Sequence, residues 1–412
     1  MTWALPAIAA IILAYAAVSG RLAGTPLTAP IIFTAGGLIL GLSATDAIDL
    51  HAVGHTVKLL AEATLGLVLF ADAARVNITA LRSEISIPAR LLGVGLPLTI
   101  LAGFGAAALV LGDLAWPEML LLAVILAPTD AALGQAVVTR ADLPSQVRQG
   151  LNVESGLNDG ICVPLFLIVL AIAHAEAGAI GNGAALRLVL EQIGYGALVG
   201  IGAGAIAAAI LIVAGGRGAI EPMWRQVIPA TAAALAYTLA VRVEGSGFIA
   251  AFVGGLVFGA IVRQHSADQP SEFLDGLGDL LSAATFIVFG AALLVPALAE
   301  LSWRIVVYAV LSLTVVRMVP VALSLLGGRP RLATVAFLGW FGPRGLATIV
   351  FAILILEEPH ALPSQNLLLT TAVVTVALSI AAHGVTAAPL AARYAAWYNA
   401  HLPRPGTPRE RA

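Results

Sequence analysis

Two groups of polar residues interrupt apolar stretches of this 412-residue chain. The first is Pro128-Thr129-Asp130, and the second occupies residues 154–159. Together they place three carboxylates within thirty residues of sequence. Ionisable side chains are costly inside a lipid bilayer and commonly mark ion or proton pathways. If these stretches span a membrane, the two groups therefore indicate a pathway for a cation or a proton.

The second group forms a stripe on one side of a helix. Glu154 and Asn158 are four residues apart, and so are Ser155 and Asp159, which puts each pair on one helical face. Ser155 and Asn158 alone could provide hydrogen bonds between helices. That alternative does not explain two added carboxylates, so we interpret the stripe as part of an ion site.

The first group predicts a broken helix. Proline lacks a backbone donor and clashes with the preceding turn. In a membrane the freed backbone groups are tolerated only inside protein or beside a water-filled cavity. Pro128 next to Thr129 and Asp130 therefore predicts unwound carbonyls beside a carboxylate, which suits a hard monovalent cation. The alternative, a simple kink with Asp130 reaching an interface, conflicts with its short side chain and central position.

Two arginines lie inside apolar stretches and need partners. An unpaired buried guanidinium would be very costly. We predict an ion pair between Glu154 and Arg344, which leaves Asp130 and Asp159 for the transported ion. Pairing of Arg344 with Asp130 or Asp159 stays open. Arg317 is predicted to have a structural role, with an acidic residue or with carbonyl groups.

Three further residues need an interpretation, and two of them have an alternative. Asp72 lies beside Arg75 and is interpreted as half of a local ion pair, with a position at the mouth of an ion funnel as the alternative. His383 is interpreted as a packed interior residue, with pH sensing as the alternative. Cys162 is the only cysteine, which excludes an internal disulfide, and it is interpreted as a small buried packing residue.

The composition defines the class of protein. The chain is 60% hydrophobic and 11% charged, against about 25% charged residues in soluble domains. We therefore predict an all-α integral membrane protein and no enzyme. The 21 basic and 23 acidic residues create no basic field for nucleic acid. No G-x-x-x-x-G-K-[ST] loop and no His/Cys metal cluster is present, so neither a nucleotide nor a cofactor is expected.

The apolar stretches predict thirteen transmembrane helices. A membrane-spanning helix needs about 20 mainly apolar residues. The helices are predicted at approximately 4–19, 26–43, 57–74, 88–111, 117–138, 148–172, 187–213, 225–241, 247–262, 276–297, 303–326, 332–356 and 366–390. Residues 401–412, which contain three Pro and three Arg, are predicted to form a disordered cytoplasmic tail.

The basic residues predict the orientation of these helices. Loops after odd-numbered helices, together with the C-terminus, contain fifteen Lys and Arg residues, and the opposite side contains four. Because cytoplasmic loops collect Lys and Arg, the N-terminus is predicted outside and the C-terminus inside. The predicted location is the cytoplasmic membrane of a prokaryote.

The helix breaks predict an internal symmetry. Pro128 interrupts the fifth predicted helix, and Gly342-Pro343 interrupts the twelfth. The two helices are seven apart and therefore point in opposite directions. Paired interrupted helices of this kind indicate inverted repeats with a binding site near the membrane midplane. We predict repeats from helices 1–6 and 8–13, with the broken helices crossing.

Several motifs, taken in order, resemble those of NhaP-type sodium/proton antiporters. This cation:proton antiporter group includes the eukaryotic sodium/proton exchangers. The motifs are Ala127-Pro128-Thr129-Asp130, residues 154–160 (ESGLNDG), residues 342–345 (GPRG), Leu69-Phe70 followed by Asp72, Arg317, and residues 382–386 (AHGVT) with Pro389-Leu390. Ala71 departs from the family pattern, where an acidic residue is common, and Gly156 replaces a larger apolar residue.

The resemblance implies an arrangement of domains. It implies a homodimer in which a core domain, from helices within 88–172 and 303–390, moves against a dimer domain. The dimer domain would use helices within 4–74 and 225–297, and residues 187–213 would form a linker helix. All of these helices would belong to one transmembrane antiporter domain covering residues 1–400.

The resemblance also implies a role for each site residue. Asp159 would bind the cation and accept the proton. Asn158 would orient the site, and Glu154 with Arg344 would brace it. The Asn-Asp pair resembles the electroneutral branch of the group. Further Na⁺ ligands would come from Asp130, Ser155 and the Thr129 carbonyl.

A mechanism follows from competition at Asp159. Burial favours the neutral acid, whereas a bound cation favours the carboxylate. One carboxylate can then hold H⁺ or Na⁺ but not both, which predicts 1:1 exchange with Na⁺, or Li⁺, by elevator-type alternating access. A K⁺/H⁺ antiporter on the same scaffold is the nearest alternative. A cation channel and an organic anion transporter are more distant, because no filter motif is present and carboxylates exceed arginines at the site.

Overall fold

Helices make up all regular secondary structure in the described part of the chain, as predicted. The structure is a computed structural model. It describes residues 4–22, 25–43, 50–76, 86–130, 133–138, 140–178, 182–265, 270–328, 330–358 and 360–401. Residues 402–412, most of the predicted disordered tail, lie outside the described residues.

The described residues form eighteen α-helical segments and two π-helical segments. The first nine α-helices are α1 Ala4–Leu22, α2 Ala29–Ser43, α3 Leu50–Arg75, α4 Ser86–Arg90, α5 Leu96–Val110, α6 Trp116–Ile125, α7 Gln135–Val138, α8 Ser145–Glu176 and α9 Asn182–Gly216. The others are α10 Pro222–Arg242, α11 Gly247–His265, α12 Glu272–Val288, α13 Val295–Ala299, α14 Trp303–Leu313, α15 Val315–Ser324, α16 Leu332–Trp340, α17 Leu346–Leu356 and α18 Gln365–Ala400. The π-helical segments are Leu91–Gly95 and Phe289–Leu294.

Each predicted membrane helix corresponds to one of these helices or to consecutive segments. Within the described residues, eight helical spans are long and apolar enough to cross a membrane. Three shorter apolar helices are α2, α6 and α17, and the last two belong to interrupted stretches. The total of thirteen transmembrane helices and their repeat symmetry stay predictions.

Three predicted helices are interrupted within the part of the chain that the structure describes, two of them where the sequence predicted. The segment with Pro128 loses its helix between α6 and α7, and the segment with Gly342 and Pro343 loses it between α16 and α17. The third interruption, between α14 and α15, was not predicted. It lies at Thr314, whose hydroxyl donates to the Val310 carbonyl at 2.6 Å. Such a local bond competes with the helical ladder and bends the chain.

The chain forms two compact units. The first consists of Met1–Val57, Glu84–Asn158 and Ala283–Ala412, and the second of Lys58–Ser83 and Asp159–Ser282. In the first unit, aromatic rings pack between α16 and α18, with Phe337 stacked on Tyr394 at 4.2 Å between ring centroids. The predicted division into a core domain and a dimer domain stays a prediction.

In the second unit, α9 and α11 approach through small residues. A Cβ atom added at Gly200 would lie 2.5 Å from the Ala250 carbonyl oxygen, so the two backbones are in direct contact there. Small residues permit such close approach of membrane helices. The same contact repeats every four residues along α9, at Gly196, Gly200 and Gly204.

In the first unit, a buried carboxylate joins the starts of two helices. Glu118 is 1% exposed and lies in the first turn of α6. One of its oxygens accepts from the Ala115 backbone N–H at 2.9 Å, and the other from the Ser364 N–H at 2.7 Å. Ser364 precedes α18, so one charge satisfies donors at two helix N-termini, where negative charge is favourable.

We expect Glu118→Gln to lower the free energy of unfolding by about 2 kcal/mol, because an amide replaces charge-assisted bonds to two buried donors. Denaturant unfolding of the purified protein in detergent measures the change. Glu221→Gln is the matched control, since Glu221 is exposed, precedes α10 and makes no cap hydrogen bond. Equal stability of the two variants would contradict the role assigned to Glu118.

Candidate functional site

The two predicted breaks meet in the first unit and satisfy each other's backbone groups. The Asp130 N–H donates to the Pro343 carbonyl at 2.8 Å. The Arg344 Nη1 donates to the carbonyls of Ala127 at 2.9 Å and Pro128 at 3.2 Å. Because unpaired backbone groups are very costly in a membrane, the two breaks stabilise one another.

The Asp130 carboxylate lies at the start of α17. Its Oδ2 accepts from the Leu346 N–H at 2.7 Å, and its Oδ1 accepts from the Leu133 N–H at 3.2 Å. Leu346 is the first residue of α17, whose N-terminus carries partial positive charge. A side chain at Gly345 would overlap this carboxylate, which explains a glycine at that position. Two backbone donors therefore fix the position of the Asp130 carboxylate.

The polar stripe on α8 contacts the first break. Ser155 donates its hydroxyl hydrogen to the Thr129 carbonyl, and Asn158 Nδ2 donates to the Thr129 hydroxyl at 2.7 Å. All three residues are buried. The Asn158 Oδ1 is also buried and has no hydrogen-bond partner among the described residues. A buried amide oxygen without a donor is a ready ligand for a cation or a water.

A cavity of about 20 Å³ lies between α8 and the two breaks. A space of roughly 10–15 Å³ suffices for one water molecule, so the cavity holds a single particle of that size. Its lining combines the Asp130 carboxylate with polar atoms of Thr129 and Ser155, next to Pro343. The rest of the lining, which includes Val137, Leu151 and Phe341, is apolar, so Thr129, Asp130 and Ser155 are the residues that could offer oxygen atoms to a small cation.

Asp159 is buried, with 7% of its surface exposed. It follows Asn158 directly in α8, at the point where the chain passes from the first unit to the second. Its spacing of four residues from Ser155 puts both side chains on the same helical face. The ion-binding role of Asp159 stays a prediction.

The predicted Glu154–Arg344 pair is wrong, because Glu154 pairs with Arg317. The Arg317 Nη1 and Nη2 donate to the two Glu154 oxygens at 2.6 and 2.8 Å, and both side chains are fully buried. This geometry is bidentate, the strongest arrangement for a guanidinium and a carboxylate. Arg344 instead donates to carbonyls that the first break leaves without helical partners. Its predicted alternative pairing with Asp130 or Asp159 stays open.

The structure also places the three residues Asp72, His383 and Cys162. Asp72 lies 3.4 Å from Arg75, which confirms the local pair, while its position at a funnel mouth stays a prediction. His383 is 1% exposed, which confirms its interior packing, and its pH-sensing alternative stays untested. Cys162 is buried as predicted.

Ser379 contacts the second break and was not among the predicted site residues. Its hydroxyl oxygen accepts from the Arg344 backbone N–H at 2.6 Å. A signal was present, because Thr371, Thr375, Ser379 and His383 follow one another at intervals of four along α18. All four are buried and therefore form a polar stripe like the one on α8.

The surface and the site together define the class of protein. Large apolar side chains point outward along the helices, among them Leu109 at 88% and Leu332 at 83% exposure, while Arg317 and Arg344 are buried. Apolar surface of this extent requires lipid contact. The chain is an integral membrane protein whose buried charges gather at two helix breaks that contact each other, and broken helices with buried charges are found in secondary transporters.

Residues 8–393 match the family described as "Sodium/hydrogen exchanger, transmembrane", and the chain belongs to this family. The resemblance to NhaP-type antiporters is thereby confirmed. The K⁺/H⁺ antiporter NhaP of Alkalimonas amylolytica is 26% identical over 95% of this chain and 65% of its own length. The Na⁺/H⁺ antiporter NhaP of Pseudomonas aeruginosa is 27% identical over 79% and 78%. The chain thus spans about two thirds of the length of the first of these relatives.

The fold is similar to a solved structure. The sodium proton antiporter MjNhaP1 from Methanocaldococcus jannaschii superposes with a TM-score of 0.79, covering 94% of this chain and 99% of that one. The sequence identity is 20%, so the likeness concerns the fold. It agrees with an all-helical cation/proton antiporter architecture.

Proposed function

We propose that the protein exchanges one Na⁺ (or Li⁺) for one H⁺ across the membrane, without net charge movement. The observation that carries this proposal is the bidentate Glu154–Arg317 pair beside the Asn158-Asp159 sequence. Arg317 neutralises Glu154, and Asn158 is neutral. Within the polar stripe of residues 154–159, Asp159 is the second carboxylate, and we propose that it exchanges its counterion.

Exchange follows from competition at Asp159. A protonated Asp159 carries no charge, and an ionised Asp159 needs a cation to balance it inside the membrane. Either loaded form can move through an apolar environment, whereas the empty carboxylate cannot. Alternating access of elevator type then couples the cation to the proton without any nucleotide or other cofactor.

The hydrogen bonds of the site support the proposed ligands. Because Ser155 donates its hydrogen to the Thr129 carbonyl, the lone pairs of the Ser155 oxygen are free to face a cation. Asn158 uses its amide nitrogen on the Thr129 hydroxyl and thereby fixes the orientation of its oxygen. We propose that Na⁺ binds Asp159 and Ser155, with the Thr129 carbonyl and Asp130 completing the site.

Asp130 is proposed as a ligand that exchanges no proton. Both of its oxygens accept hydrogen bonds from backbone N–H groups, which fix the carboxylate beside Thr129. A ligand that keeps one protonation state throughout the cycle adds no second exchangeable proton.

K⁺/H⁺ exchange is the second candidate function. The relatives of this chain include proteins named for K⁺/H⁺ as well as for Na⁺/H⁺ antiport. K⁺ needs more space than Na⁺ for the same oxygen ligands. Selection between the two ions then depends on how far the ligands can separate.

We propose that this exchange takes place in the architecture that was predicted from the sequence. It comprises thirteen transmembrane helices in two inverted repeats and a homodimer. Core helices within 88–172 and 303–390 move against helices within 4–74 and 225–297, and the linker is 187–213. The protein would lie in the cytoplasmic membrane with its N-terminus outside and would serve pH homeostasis.

We expect the Na⁺ gradient reached at a fixed pH gradient to be independent of membrane potential. Purified protein in liposomes is tested with the potential clamped by valinomycin and K⁺, after K⁺ has been shown not to be a substrate. A net elementary charge would experience about 2.3 kcal/mol per 100 mV, so electrogenic exchange would shift the final gradient clearly.

Parallel assays with Na⁺, Li⁺ and K⁺ identify the transported cation. A voltage shift equivalent to one charge would mean that a second carboxylate exchanges its proton, and the 1:1 proposal would be abandoned. Cation flux that persists without a counter-gradient of protons would indicate a channel and contradict antiport.

A further inference from the structure

We infer that His383 and Ser379 are positioning residues that fix the second break and, through it, the cation affinity of the site. This inference rests on the proposed function. The two residues lie one turn apart on α18 and are 1% and 0% exposed. Neither residue belongs to the proposed ligand set, and both are outside the lining of the cavity.

The pair binds the two backbone groups that flank the break. On one side, the His383 Nε2 lies 2.9 Å from the Trp340 carbonyl, at the last residue of α16. On the other side, the Ser379 hydroxyl oxygen accepts from the Arg344 N–H at 2.6 Å. The Ser379 hydroxyl and the His383 Nδ1 are 3.2 Å apart, which closes the bridge. One continuous set of bonds thus spans residues 341–343.

The partners determine the direction of each hydrogen bond. A carbonyl only accepts, so the His383 Nε2 carries the hydrogen that binds Trp340. The Arg344 N–H only donates, so the Ser379 hydroxyl uses its own hydrogen elsewhere. The Ser379 carbonyl, 3.0 Å from Nδ1, has no hydrogen to give, which leaves the hydroxyl as the Ser379 donor to Nδ1. The neutral Nε2–H imidazole satisfies this whole chain of bonds.

The break needs external bonds because its own residues provide few. Gly342 and Gly345 restrict the backbone little, and Pro343 has no N–H. Between the two bonds to α18 lies the Pro343 carbonyl, which accepts from the Asp130 N–H. A shift of this segment would therefore move Asp130 and the carbonyls bound by Arg344. Outer groups of this kind orient the groups that contact an ion.

The test compares three variants in proteoliposomes and in solution. His383→Ala removes both ring nitrogens, and with them the bonds to the Trp340 carbonyl and to the Ser379 hydroxyl, whereas His383→Gln offers a side-chain N–H to the Trp340 carbonyl. Thr386→Val is the matched control. The Thr386 hydroxyl oxygen accepts from the Trp340 indole N–H at 3.0 Å, so this variant also removes one bond between α16 and α18. That bond joins side chains only and leaves the backbone of the break untouched.

For His383→Ala we expect the KM for the cation to rise about tenfold, as is typical when an outer partner of an ion ligand is lost. His383→Gln should recover most of the affinity, and Thr386→Val should keep the wild-type KM even if its thermal stability falls. An unchanged KM in His383→Ala, or an equal rise in Thr386→Val, would overturn the inference.

Hydrogen exchange of the backbone amides provides a measurement independent of transport. The Arg344 and Leu346 amides should exchange faster in His383→Ala than in the wild type or in Thr386→Val. Unchanged exchange would overturn the inference whatever the transport result. If the wild type exchanges no monovalent cation for protons, the proposed function fails, and the positioning role is still decided by these amides.

Discussion

Asp159→Asn is expected to reduce cation/proton exchange to the level of protein-free liposomes. A neutral amide cannot alternate between a bound proton and a bound cation, so neither half of the cycle can carry its ion. The fold should be retained, because a buried amide has a lower desolvation cost than a buried carboxylate. Na⁺-driven proton movement, followed with a pH-sensitive dye in proteoliposomes, measures the loss.

Asp142→Asn is the matched control for this experiment. Asp142 is exposed and bonds Arg140 at 2.6 Å, and this hydrogen bond holds the pKa of Asp142 below its ordinary value. The control removes one carboxylate without touching the site and should exchange ions like the wild type. Substantial Na⁺-driven proton movement by Asp159→Asn would refute the assignment of the exchanging carboxylate.

Most of the fold prediction rested on hydrophobicity and on helix-breaking residues. Apolar stretches of suitable length identified the helical segments, since each must satisfy its own backbone in lipid. The breaks near Pro128 and Pro343 followed from the missing N–H of proline. The break at Thr314 has no Pro or Gly beside it and so gave no such signal. No feature of the sequence predicted the two π-helical segments either.

The spacing of polar residues predicted a polar stripe on α8 before any geometry was known. Ser155 and Asn158, both on this stripe, each hydrogen-bond to Thr129. Spacing within one helix shows which side chains share a face. It does not show which face of another helix lies opposite, and this explains why Ser379 was missed despite its regular spacing on α18.

The error over Arg344 has a specific physical cause. For Arg344, only carboxylates were considered as partners. A guanidinium has five donors, and a broken helix offers carbonyls that lack their usual N–H partners. Arg344 uses such carbonyls, at Ala127 and Pro128. Glu154 is therefore available to Arg317, which follows the unpredicted break at Thr314 by three residues.

The second large effect is expected at the Glu154–Arg317 pair. Glu154→Gln or Arg317→Ala should lower the free energy of unfolding by about 3–5 kcal/mol, because each leaves a buried charge without its partner. Denaturant unfolding of the single and double variants gives a double-mutant cycle. The double variant should be less destabilised than the sum of the single variants, since it leaves no unpaired charge.

Arg187 and Glu191 provide the control cycle, as a pair of the same charge types at 2.8 Å that is largely exposed. Water solvates each of its charges, so its coupling energy should be far smaller than that of the buried pair. Coupling of the same size in both cycles would contradict the structural pair. Glu154 would then lack a fixed counter-charge and become a second exchangeable carboxylate beside Asp159. Exchange would in that case depend on voltage, so this cycle and the potential-clamp experiment test the same charge assignment independently.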